Sequence, residues 1–167
     1  MGKIVKWLVI IAVVLVVAGG GYLYTQLNVL GKTAIEKTLS YVLEVDVTLG
    51  RLELSIADSK ADLYDLKVGN PAGYSLPEAF SFGHCTVDLD LDSLKGDVPT
   101  LHLVDIENPK VTMERADKKW NFQKLMDSAA RLESEESQPI HIKRVRVADS
   151  KVQIKAKMLP KDVSLNL

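Results

Sequence analysis

The chain has 167 residues, enough for one domain with its own core and an additional segment. Its 21 Lys and Arg residues nearly balance its 22 Asp and Glu residues, so the charge indicates no nucleic-acid partner. Cys85 is the single cysteine, which excludes an internal disulfide and a cysteine-based zinc cluster.

The first strong pattern is an uncharged apolar run at residues 7–24, WLVIIAVVLVVAGGGYLY. In a helix this run would rise about 27 Å, close to the hydrocarbon thickness of a bilayer. Aromatic side chains near its ends suit the interfacial belts, and lysines before it favour a cytoplasmic N-terminus. The residues that carry this anchor prediction are Trp7, Tyr22, Tyr24, Lys3 and Lys6. We therefore predict a single-pass anchor, with residues 1–6 in the cytoplasm; a cleaved signal peptide is the alternative interpretation.

Apolar residues at three-to-four spacing predict an amphipathic linker helix at residues 25–43, which covers one end of a sheet. From residue 44 the apolar period changes to two, so residues 44–167 are predicted to form a β-rich domain. A later apolar stripe predicts a second helix, for which Asn121 can serve as N-cap. The final DVSLNL still alternates, and we expect the domain to continue beyond residue 167.

These elements predict an α+β fold. It consists of an N-terminal transmembrane helix followed by a twisted, mainly antiparallel β-sheet with two amphipathic helices packed on it. At Gly50-Arg51 the alternation slips in phase, which predicts a bulge.

Four stretches share two apolar residues spaced by one and then Asn or Asp followed by Pro or Ser. They are LSIADSKADL (54–63), LKVGNPAGYS (66–75), VDIENPKVTM (104–113) and VRVADSKVQI (145–154). Asn and Asp favour turns, and Pro fixes φ while removing a donor. Each copy is therefore predicted to end one strand and begin the next, in a repeated structural unit.

The order of these motifs resembles the N-terminal module of AsmA-like proteins. The resemblance is carried by DLYDLKVGNPAGYSLPEAFSF, VDLDLDSLKGDVPTLHLVDIENPKVTMER and KWNFQKLMD, behind the apolar run. It implies a location in the bacterial inner membrane with the main domain in the periplasm. It also implies lipid handling, because larger members resemble bridge-like lipid-transfer proteins whose twisted sheets form an apolar groove.

The first functional hypothesis is a lipid-handling module that uses the apolar face of the sheet. The residues predicted to face lipid are Leu49, Leu52, Leu54, Ile56, Val87, Leu89, Leu91, Leu101, Leu103, Val111 and Met113. Its partners would be membrane lipids, held by the anchor and carried as cargo. The alternative is a non-enzymatic structural or accessory subunit of a homo-oligomer or an envelope complex, since an open strand edge can accept a partner strand.

Enzymatic chemistry is not expected, and neither is a metal or a cofactor. His84, His102 and His141 are isolated from one another, and no spacing typical of metal ligands occurs. No nucleophile lies beside a candidate base, and Cys85 lies on the apolar face of its predicted strand.

Overall fold

A computed structural model describes residues 22–96, 98–116, 118–131, 140–156 and 163–166. Within these ranges the chain forms one mixed β-sheet with two α-helices and a short 3₁₀ helix. The helices are α1 (Tyr22–Leu43) and α2 (Asn121–Ala130), and the 3₁₀ helix is Leu91–Lys95. The strands are β1 (Val47–Thr48), β2 (Arg51–Ser55), β3 (Lys60–Gly69), β4 (Glu78–Asp90), β5 (Thr100–Glu107), β6 (Lys110–Ala116), β7 (Lys119–Trp120), β8 (His141–Ile142), β9 (Val145–Ala148), β10 (Lys151–Ala156) and β11 (Val163–Asn166).

The predicted transmembrane helix is the part of the fold prediction that must be corrected. Neither helix in the described ranges is long and apolar enough to cross a membrane. Most of the predicted anchor, residues 7–24, lies outside the described residues, as do Trp7, Lys3 and Lys6. Its last part already belongs to α1, which continues without interruption into a segment that carries Lys32 and Glu36. The described fold is therefore a sheet with two helices.

Helix α1 packs on the first strands of the sheet. Leu27 is buried on α1, and Ile35, Leu39 and Leu43 pack against the core of the sheet. Gly31 permits this close approach, because a Cβ at this position would lie only 2.7 Å from Leu52 Cδ2. The buried core consists of Val47, Leu49, Leu52, Leu66, Val68, Phe82 and Cys85.

Several short strands combine into longer ones. β4 pairs antiparallel with β5 and, in the same register, with β6, so β5 and β6 are successive parts of one strand. β8, β9 and β10 form a second composite strand, because they pair in parallel with β5 and β6 at one constant sequence offset. β1 and β2 likewise share one register against β3.

The interruptions of these composite strands lie in one row across the sheet. The pairing registers align Gly50, Asp65, Gly83, Asn108 and Asp149, which we call the break row. Its three non-glycine members have left-handed backbone, with φ of 53°, 53° and 54°. Asn and Asp tolerate this conformation better than other residues that carry a Cβ. The predicted bulge at Gly50-Arg51 is thus a break without an inserted residue, because the register with β3 is unchanged on both sides.

The four motif copies do not all turn the chain. The copy at 54–63 forms the turn between β2 and β3, and the copy at 66–75 leads into the corner between β3 and β4. The copies at 104–113 and 145–154 instead continue in the same direction, from β5 to β6 and from β9 to β10. Each copy thus ends one strand and precedes the next, as predicted, but only two of the four reverse the direction of the chain.

Candidate functional site

One face of the sheet is apolar across all its composite strands. Side chains of paired residues project from the same face. The pairing registers therefore show which residues of the later strands lie on the same face as the core residues of β4. The pairs beyond β4 are Leu101–Ile142, Val104–Val145, Ile106–Val147, Val111–Val152 and Met113–Ile154. Val104 and Ile106 contact the core, so this face is continuous with the region beneath α1.

The apolar face is covered at one end and open at the other. Leu49 and Leu52 are only 2% and 4% exposed beneath α1. At the other end, Ile142 is 47%, Val145 is 58% and Val147 is 53% exposed. We call these last three residues the open apolar strip. It is a candidate binding surface, because exposed apolar groups gathered on one face are typical of interaction sites.

The predicted lipid-facing residues have different environments in the structure. Those that lie half-buried on strands of the apolar face are Leu54, Val87, Leu89, Leu101, Val111 and Met113. Ile56 is 38% exposed in the turn after β2, and Leu91 begins the 3₁₀ helix.

Three of the predicted lipid-facing positions must be corrected. Leu49 and Leu52 are closed off because α1 packs on them. Leu103 is paired with Asp88 and therefore projects from the opposite, polar face. Sequence analysis also missed the open apolar strip. The alternation of Val145 and Val147 was its only signal in the sequence. The pairing of these residues with β5 is what places them on the apolar face.

The polar face carries a ladder of charged side chains. His84 Nε2 lies 3.0 Å from Asp62 Oδ1, and His84 Nδ1 lies 3.5 Å from Glu107 Oε2. Arg146 Nη2 lies 2.8 Å from Asp105 Oδ2, and Tyr64 stacks on His84 with ring centroids 4.6 Å apart. The charged and polar side chains of this face therefore pair with one another across neighbouring strands. Within the described ranges, no group of three or more His, Cys, Asp or Glu side chains could hold a metal ion.

Cys85 lies in the core beneath the apolar face and is 6% exposed. Burial, together with the charges of Asp105 and Asp62, raises the pKa of the Cys85 thiol to about 11. Since the thiolate is the nucleophilic form, this side chain acts as a small apolar group near neutral pH.

A cavity of about 310 Å³ lies between the ends of the two helices. It is lined by Ser40, Tyr41, Glu44, Ser128 and Arg131. Glu44 Oε2 accepts hydrogen bonds from Ser128 Oγ at 3.2 Å and from Arg131 Nη2 at 3.1 Å. These bonds join the two helices, and the lining supplies no nucleophile paired with a base.

Fold and site together define a mixed β-sheet protein with an apolar face that one helix covers only in part. Comparison with family models, with curated proteins and with solved structures finds no match for the chain. The AsmA-like resemblance therefore stays a prediction from the motifs.

Proposed function

We propose that the protein handles lipids by holding acyl chains against the open apolar strip. The observation that carries the proposal is the exposure of Ile142, Val145 and Val147 on a face that continues into the core. An acyl chain on this strip would lie over side chains without hydrogen-bonding demands, so contact would be tolerant of the headgroup. The AsmA-like motifs point to the same class of ligand.

The expected affinity follows from the exposed areas. Full burial of a Val or Ile side chain contributes about 1.5–3 kcal/mol, so covering one that is half exposed contributes about 1 kcal/mol. Three such residues give about 3 kcal/mol, which alone corresponds to binding weaker than about 1 mM. The half-buried neighbours Leu101, Val104 and Ile106 enlarge the contact. The surface thus suits lipid that is already concentrated in a membrane or a micelle.

The alternative, a structural subunit, draws support from a different feature, the unpaired outer edge of β9 within the described residues. Lipid binding uses the side chains of the apolar face, whereas assembly through this edge uses backbone groups. The two functions are therefore separable by substitution.

Lipid binding can be tested by titrating the full chain with a fluorescent palmitic acid analogue and with phosphatidylcholine vesicles. Val145→Asp places a charge in the strip and is expected to weaken binding about tenfold, equivalent to about 1.4 kcal/mol. Val29→Asp on α1 is the matched control, because Val29 is also 58% exposed. Both substitutions lie at exposed positions, and circular dichroism would verify that both variants fold.

Two results would refute the proposal. One is a wild-type chain that binds neither probe. The other is equal binding by the Val145→Asp and Val29→Asp variants, since contact with the strip requires that only the former lose affinity.

A further inference from the structure

The two outer edges of the sheet are treated differently by the fold. At the first edge, β1 and β2, outward backbone N–H groups donate to side chains of α1 at 2.7–3.1 Å. The three bonds run from Val47 to Ser40 Oγ, from Leu49 to Glu36 Oε1 and from Leu54 to Asn28 Oδ1. A helix therefore seals this edge against an added strand, which is how proteins protect exposed edges.

At the other edge, β11 pairs along β10, whereas β9 pairs with β5 on one side only among the described residues. Val104 N–H donates to Arg144 O at 2.9 Å, and Asn108 N–H donates to Ala148 O at 3.0 Å. Because successive residues of a strand direct their backbone groups to opposite edges, the N–H and C=O groups of Val145 and Val147 point away from the sheet. β9 thus presents two residues whose outward backbone groups can form a further ladder, and neither of the two described α-helices packs extensively on it.

The chemistry around this edge indicates the occupant. From His141 to Ala148 the sequence is HIKRVRVA, which contains three cations and no acid. Val145 and Val147 project from the apolar face, while Arg146 projects from the polar face and is 62% exposed. Arg146 is already paired with Asp105 and Glu107, whereas Lys143 and Arg144 are exposed beside this edge. A strand that pairs here would therefore place apolar residues beside the valines and acidic residues near Lys143 and Arg144. A second β9 is a poor occupant, since it would set cations against cations.

We propose that the β9 edge binds an extended segment of another protein, in which apolar and acidic residues alternate, as an additional strand of the sheet. Such β-augmentation takes affinity from backbone hydrogen bonds and specificity from alternate side chains. The proposal goes beyond lipid binding, because it depends on the backbone of β9 and on charge.

The experiment is fluorescence anisotropy of the full chain with a labelled synthetic peptide, Glu-Val-Asp-Val-Glu-Val-Asp, and with its charge-reversed counterpart, Lys-Val-Lys-Val-Lys-Val-Lys. Val147→Pro removes one outward N–H and leaves the bonds of the neighbouring residues to β5, so it is expected to weaken binding of the acidic peptide about tenfold. Val147→Thr keeps both the N–H and the β-branched shape and is expected to bind like the wild type.

Charge provides a second measurement that does not depend on how the strand tolerates proline. Arg144→Glu is expected to weaken binding of the acidic peptide and to strengthen binding of the basic one. Equal affinity of wild type and Val147→Pro for the acidic peptide would overturn the proposal. So would binding that ignores peptide charge, or self-association of the chain that Val147→Pro abolishes, since the latter would make a second copy the occupant.

Discussion

Replacing Asn121 by alanine is expected to destabilise the fold strongly, because this amide joins three parts of the chain. Asn121 is fully buried, and its Oδ1 accepts a hydrogen bond from Glu114 N–H at 3.0 Å. Its Nδ2 donates to Thr112 O at 2.6 Å and to Asn70 Oδ1 at 2.7 Å. The side chain therefore pairs with the edge of β6 as a short piece of strand would, and it also fixes the corner that follows β3.

The magnitude follows from the groups left without a partner. An unpaired buried donor or acceptor costs about 1–3 kcal/mol, and alanine would leave Glu114 N–H and Thr112 C=O in that state. Asn70 Oδ1 is only partly buried, so water can replace its lost bond. We therefore expect Asn121→Ala to lower the free energy of unfolding by about 3–5 kcal/mol. Asn121→Asp keeps the volume but loses both donated bonds, so a comparable loss is expected.

Urea unfolding followed by circular dichroism measures this loss directly. Gln123→Ala serves as the control, because Gln123 Oε1 accepts a single bond from Trp120 N–H, at 2.9 Å and at an exposed site. Its removal is expected to cost about 1 kcal/mol or less. If Asn121→Ala were no more destabilising than Gln123→Ala, the role assigned to the buried amide would be wrong.

Two further predictions concern the break row and the buried thiol. Asn108→Val is expected to lower the free energy of unfolding by about 1–2 kcal/mol, measured by thermal unfolding, because a β-branched residue is strained at a φ of 53°. Asn108→Gly should be nearly neutral. Equal stability of the two variants would contradict the left-handed conformation assigned to this residue. Cys85 is expected to react slowly with a thiol-specific disulfide reagent at pH 8 and rapidly in urea, because its pKa of about 11 keeps the buried thiol neutral; rapid reaction of the folded protein would count against its burial.

Alternation in the sequence was sufficient to assign residues such as Val111 and Met113 to the apolar face, because a period of two places them on one side of a strand. It could not say which part of that face is covered. Leu52 and Val145 have similar local patterns, yet α1 buries one and leaves the other 58% exposed. Whether a residue of the apolar face is covered depends on where a helix from another part of the sequence packs. A local pattern contains no information on that packing.

The Asn-Pro motifs show the same limit in the backbone. At Asn70 the side chain donates to Leu76 O at 2.8 Å and closes a loop, so the chain turns. At Asn108 the neighbouring strand β4 continues alongside, and Asn108 N–H finds Ala148 O at 3.0 Å, so the strand resumes. Two nearly identical dipeptides thus give a corner and a continuation. The outcome depends on hydrogen-bond partners that lie far away in sequence.

The break row explains why an apolar face can extend over so many interrupted strands. Along β3 the apolar residues of the core and its margin change from odd to even positions, from the half-buried Leu63 to the buried Leu66, and the change occurs at Asp65. A phase change in one strand alone would turn half of its apolar residues to the wrong face. Because the continuous strands β3 and β4 and the composite strands all change phase in the same row, neighbours stay matched on both sides of it. The phase changes in the apolar alternation therefore keep the apolar residues on one side of the sheet, from the covered core to the open apolar strip.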